Sequence, residues 1–169
     1  MLVEPNPFNF NALAKCWSDL KNKEIFQVGI SLKNNLHKQL PFYFTEFDAP
    51  HYQVAPFNPE HVLKHYKNLK NSDLKSLVVE SIDLKTFILS VTLGGPVILL
   101  SLDIEGIDAG VILDTDFSSM NVSLISFEHL HLGNKSKMVA KHLSKCGFKY
   151  AGVGVDHNGY DHLYRKVSK

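Results

Sequence analysis

Apolar residues recur along the chain with two periods, about two and about 3.6 residues, and the places where one gives way to the other mark the elements. Leu2-Val3-Glu4 reads as a short strand. Asn6 caps the helix behind it and Pro7 suits its first position; Phe10, Leu13, Trp17 and Leu20 share its apolar face, and Lys21-Asn22-Lys23 ends it. Residues 25–30 predict a strand, Asn34-Asn35 a turn and residues 40–45 a further strand. Residues 46–58, which hold Asp48-Ala49-Pro50-His51-Tyr52, read as an ordered loop near a site or simply as a long surface excursion. Asn58-Pro59-Glu60 starts a helix striped by Val62, Leu63, Tyr66 and Leu69. A strand over 77–82 and a helix over 84–93 follow.

The most apolar run, residues 97–102, predicts a parallel strand covered on both faces. Gly106 and a short helix over 108–113 come next, then a strand over 122–127. Ser136 opens a helix with Met138, Val139, His142, Leu143 and Cys146 on one side and Gly147 just past its end. Two strands then flank Asn158-Gly159, a hairpin signal. Alternating strands and helices imply an α/β domain with a mostly parallel sheet, closed by a C-terminal antiparallel hairpin.

Composition narrows the setting. A chain of 169 residues, 44% hydrophobic and 21% charged, is one globular domain over 1–169. A net charge of +1 with scattered lysines argues against a nucleic-acid partner. With no signal peptide and no bilayer-length apolar run, the expectation is a cytoplasmic protein without a membrane partner; a homo-oligomer stays open. Cys16 and Cys146 form no CxxC pair and read as reduced core thiols.

Open α/β sheets bind ligands at the carboxyl ends of their strands, so the polar residues there are the candidates. Glu4 can accept both hydroxyls of a ribose, or simply favour the helix dipole behind it. Ser31 ends another strand. Asp103 and Glu105 face one cleft if the strand continues past residue 102, and then suit a general base, a metal or a cationic sulfonium; otherwise Asp103 caps the following helix. Glu128-His129-Leu130-His131 has metal-ligand types without a strong zinc spacing. Asp156-His157 is explained by the hairpin turn. No GxSxG elbow and no phosphate loop occurs.

These motifs resemble FkbM-type S-adenosylmethionine-dependent methyltransferases. Leu2-Val3-Glu4-Pro5-Asn6-Pro7 with Phe10 and Leu13, then Val28-Gly29-Ile30-Ser31, is similar to the family's second and third strands. Leu99-Leu100-Ser101-Leu102-Asp103-Ile104-Glu105-Gly106-Ile107-Asp108 resembles its "IDVEGHD" segment, the most specific part. Residues 122–129 resemble its fifth strand, and Lys145-Cys146-Gly147-Phe148 its lead into the last hairpin.

The resemblance implies a class I, Rossmann-like methyltransferase fold. It also implies methyl transfer from S-adenosylmethionine to a hydroxyl of a sugar, glycan or other small metabolite. By it, Glu4, Pro5, Asn6 and Ser31 hold the cofactor, and Asp103 lies beside its methyl group. Glu105 and Glu128 line the acceptor side, and His129 or Asp103 takes the acceptor proton. The family's first strand and glycine-rich turn are expected before Glu4, where three residues stand, so the domain reads as N-terminally truncated. The alternative reading is a non-catalytic fragment or binding module that kept the fold and lost the complete pocket. A metal-dependent hydrolase using Glu105, Glu128 and His129 is a third.

Overall fold

The computed structural model describes residues 1–33, 38–49, 54–130, 132–154 and 159–167. The expected turn at Asn34-Asn35, His51 and Tyr52 of the loop, His131, and Asp156-His157-Asn158 lie outside these residues. The chain divides into two compact units, Met1–Ser31 with Asn35–Ile82, and Leu32–Asn34 with Asp83–Lys169.

In the first unit β1 (Leu2–Val3) pairs in parallel with β2 (Ile25–Phe26), and α1 (Pro7–Cys16) makes the crossover. Asn6 caps α1 as expected: its Oδ1 accepts from the Phe8 amide at 3.0 Å, and Pro7 follows at the first position. The helix stops at Cys16, short of the expected Lys21. The Ser18 amide turns back to Lys15 O, and the Lys23 ammonium takes the carbonyls of Ser18 and Leu20, so no further helical turn forms. Trp17 and Leu20 are therefore exposed, and so is Cys16, against the expectation of a core thiol.

The expected strand over 25–30 breaks after Phe26, and β3 (Gly29–Ser31) joins a second sheet of order β3-β5-β4. A Cβ on Gly29 would stand 2.3 Å from the Phe57 ring, so only glycine admits that ring here. β4 (Lys38–Thr45) and β5 (Leu74–Asp83) pair antiparallel, from Lys38↔Ser81 to Thr45↔Leu74. Phe42, Phe44, Ala55 and Val79 form their core with Phe57 and Leu77 packed against it. Asn58 caps α2 (Pro59–His65) through the Glu60 amide.

The second unit opens with α3 (Leu84–Thr92), capped by Asp83 through the Thr86 amide. β6 (Val97–Leu102), α4 (Asp108–Asp114), β7 (Val122–Glu128), α5 (Ser136–Lys145), β8 (Phe148–Val153) and β9 (Asp161–Lys166) follow. The sheet order is β6-β7-β9-β8. β6 and β7 are parallel, while β9 pairs antiparallel with both β7 and β8. The expectation of one mostly parallel sheet is thus corrected to mixed sheets, because the terminal hairpin inserts β9 beside β7 and β4 folds back on β5. The closing hairpin itself is present.

The pleat gives the sheet two faces. Ile125, Phe127, Phe148 and Tyr164 share one, all buried. Val139 and Leu143 of α5 are buried too, whereas Met138 stands off that stripe and is exposed. β6 departs from expectation: Ile98 is 75% and Leu99 54% exposed, so neither face of the strand is covered at that point; among the described residues β6 also ends the sheet order. Burial therefore separates two isoleucines of adjacent strands. Ile125→Ala is expected to cost about 2–5 kcal/mol and Ile98→Ala under about 1 kcal/mol in urea unfolding; equal losses would contradict this assignment of the core.

Candidate functional site

The register of the second unit brings three strand ends to one edge. Leu102 and Phe127 are partners across β6 and β7, and Glu128 and Asp161 across β7 and β9. Asp103 follows Leu102 as Glu128 follows Phe127, so Asp103, Glu128 and Asp161 stand in a row over three neighbouring strands. Ser126 Oγ donates to Asp161 Oδ2 at 3.1 Å and fixes the end of that row.

β6 stops at Leu102, so strand alternation does not carry Glu105 to the side of Asp103, as the sequence suggested. Glu105 (φ 54°) and Gly106 (φ 87°) are both left-handed and make a tight turn instead. Glycine takes this conformation without strain, and a Cβ there costs about 1–2 kcal/mol. Nor does Asp103 cap α4, whose cap residue Ile107 makes no side-chain hydrogen bond.

The side chain that closes the turn is Asp108, missed as a site residue. It is 2% exposed, and its Oδ1 accepts from the Ile104 amide at 3.3 Å. Burial pushes its carboxyl up to about 6; hydrogen bonds from its own amide and Ile104 oppose the rise, and the charges of Asp103 and Glu128 add to it. Asp103, Asp108 and Glu128 thus form one electrostatic group in which adding negative charge is costly.

His129 stands just past β7. Its amide donates to Tyr160 O at 2.8 Å, and its Nε2 lies 3.2 Å from Gly159 O. A carbonyl only accepts, so Nε2 carries the proton, and the neutral ring then keeps its lone pair on Nδ1. His162 of β9 stacks on this ring, with centroids 3.9 Å apart and planes 20° apart. Burial first, and then the His129 charge, hold His162 below the ordinary imidazole range. Sequence reasoning missed His162, because nothing in Asp161-His162-Leu163 announces which residue of β7 it will face.

The remaining candidates belong to the first unit. Glu4 follows β1; its amide bonds Phe26 O, and its Oε1 accepts from the Asn6 amide at 2.8 Å. Glu4 therefore serves the helix start, whatever else it binds. Pro5 is half-buried between them. Asn6 and Ser31 are buried, and Asn6 Nδ2 and Ser31 Oγ have no hydrogen-bond partner among the described residues. Such groups cost about 1–3 kcal/mol each, which a polar ligand would offset. A cavity of about 480 Å³ in this unit is lined by Val28, Lys38, Gln39, Glu80, Ser81 and Ile82, none of them a candidate.

Among the described residues no group of three or more His, Cys, Asp or Glu is placed to hold a metal ion, and no helix is long and apolar enough to cross a membrane. The fold is α/β with mixed sheets and a carboxylate-and-imidazole edge, compatible with a methyltransferase. The family model for the FkbM methyltransferase domain matches residues 1–150, and the chain belongs to that family. Comparisons with curated proteins and with solved structures find no match.

Asp108 predicts a pH dependence. Its carboxyl holds a proton in the fold where the unfolded chain has lost it, so its contribution is complete below pH 3.8 and is lost as pH rises through about 6. Asp108→Asn is expected to remove a stability loss on the order of 2–3 kcal/mol between pH 4 and pH 7.5. Urea unfolding at both pH values measures it, and identical pH slopes in wild type and variant would contradict the buried-acid assignment. Gly106→Ala is expected to destabilise by about 1–2 kcal/mol in the same assay.

Proposed function

We propose that the chain is an S-adenosylmethionine-dependent O-methyltransferase acting on a hydroxyl of a sugar, glycan or other small metabolite. The observation that carries this reading, beside family membership, is the strand-end edge of the second unit, with its carboxylates and a histidine whose tautomer is set. S-adenosylmethionine, when bound, supplies a methyl group on a positively charged sulfur.

The donor set fits such a ligand. A sulfonium and an α-ammonium are both cations, and the Asp103 and Glu128 carboxylates at adjacent strand ends provide negative potential for them. Asp103 takes the sulfonium side. Glu105 and Glu128 meet the acceptor, where a carboxylate accepts hydrogen bonds from hydroxyls. His129 is the base: with Nε2–H held on Gly159 O, its Nδ1 lone pair receives the acceptor hydroxyl's proton. Asp103 is the second candidate for that role.

In the first unit, Glu4 is the ribose ligand, as the family resemblance implies, with Pro5 shaping the chain beside it. The unsatisfied polar atoms of Asn6 and Ser31 support a polar ligand there.

Isothermal titration with S-adenosylmethionine tests the reading. Binding is expected, weakened about tenfold or more by Asp103→Asn and, separately, by Glu4→Gln. His129→Ala is expected to retain binding and to lower methyl transfer by about 10²-fold or more, measured with a labelled methyl donor and a panel of hydroxylated acceptors. Absence of any binding heat would favour the non-catalytic module instead.

A further inference from the structure

We propose that His162 is a positioning residue, which fixes the plane of the His129 ring so that Nδ1 of His129 keeps one bearing toward the acceptor hydroxyl. The proposal rests on the reading of His129 as the base and adds a residue that neither sequence nor family assigns.

Two constraints define where a ring nitrogen points: the plane of the ring and its rotation within that plane. The hydrogen bond from Nε2 to Gly159 O sets the rotation. The near-parallel His162 ring, 3.9 Å away, sets the plane. His162 is itself enclosed by rings. Tyr150 meets it edge-on at 5.2 Å and 74°, and Phe127, its Cα partner across the strands, at 6.3 Å and 71°. Tyr150 and Phe127 in turn contact Tyr164. Gly159 and Tyr160, which hold His129 by their carbonyls, directly precede β9, which carries His162. One chain segment thus grips His129 at its amide, its Nε2 and its ring face.

The pair also limits charge. Two stacked imidazoles repel when both are protonated, and burial places that cost on His162. Among the described residues, the other titratable groups that the register places on this face are Tyr150, Tyr164 and Lys166, whose ammonium lies over the Phe148 ring. Glu128 and Asp161 alternate with Phe127 and His162 in register and so lie on the opposite face of the pleat.

The test compares His162→Phe, which keeps a flat ring, with His162→Ala, which does not. Methyl transfer is expected to fall about tenfold or more in kcat for His162→Ala, with KM for S-adenosylmethionine unchanged, and to stay within about threefold for His162→Phe. Proton NMR reads the stack without activity. The His129 ring resonances are expected to carry a ring-current shift in the wild-type chain and in His162→Phe, and to lose it in His162→Ala. In His129→Ala, the His162 titration is expected to move up toward 6.5. His129 resonances unmoved by His162→Ala overturn the proposal, and so does an unchanged kcat in an active enzyme. A wild-type chain without methyl transfer sinks the functional reading alone, since the resonances still report whether His162 orients His129.

Discussion

The parallel pairing of β6 with β7 governs the second unit. Its register runs without a shift from Val97↔Val122 to Leu102↔Phe127, so both strands finish at the same level. Slipping it by one residue would turn every side chain of β6 to the other face. Leu102, buried at 4%, would leave the core, and the carboxylate that follows it would move off the edge. The pairing of β7 with β9 extends the constraint by setting Asp161 opposite Glu128 and His162 opposite Phe127. Candidate chemistry at this edge is thus a consequence of ladder hydrogen bonds made several residues away.

The turn between β6 and α4 meets a second demand, which is to leave the strand within a few residues of the buried Leu102 and start a helix. Glu105 and Gly106 do this with left-handed backbone, and the Ile104 amide is satisfied by the Asp108 carboxyl. The cost is a buried acid beside two other carboxylates, paid in a carboxyl pushed up to about 6. A tight turn, a buried acceptor and an exposed Asp103 are therefore one arrangement, and a change to any of them is felt by the others.

Much of the local structure was legible from residue type alone. Asn6, Pro7, Asn58, Pro59 and Gly147 announce helix ends because their side chains or backbone preferences act within one turn, and these ends are where the sequence placed them. The helix after residue 83 and the strands β4 to β9 follow from apolar periodicity. Contacts between distant segments defeated this reading elsewhere. Lys23 withdraws the carbonyls that a longer α1 would use, and the run that looked like one strand divides between two sheets, β2 beside β1 and β3 beside β5. β6 looked doubly covered because apolarity reports what a strand tolerates, not whether other elements cover its faces.

The candidate site divides in the same way. Sequence by itself determined that the chain is α/β, that Asp103, Glu105, Glu128 and His129 close the most apolar strands, and that the family resemblance was sound, because strand ends and motif spacing are local properties. Only the tertiary structure decided that Asp108 rather than Asp103 serves the turn, that Glu105 leaves the line of Asp103, and that His162 lies flat on His129. The first two turn on backbone conformation and burial, which residue type within the Asp103–Asp108 segment does not fix; the third depends on register, which couples residues about thirty apart through backbone pairing, so that no short window of sequence contains both partners.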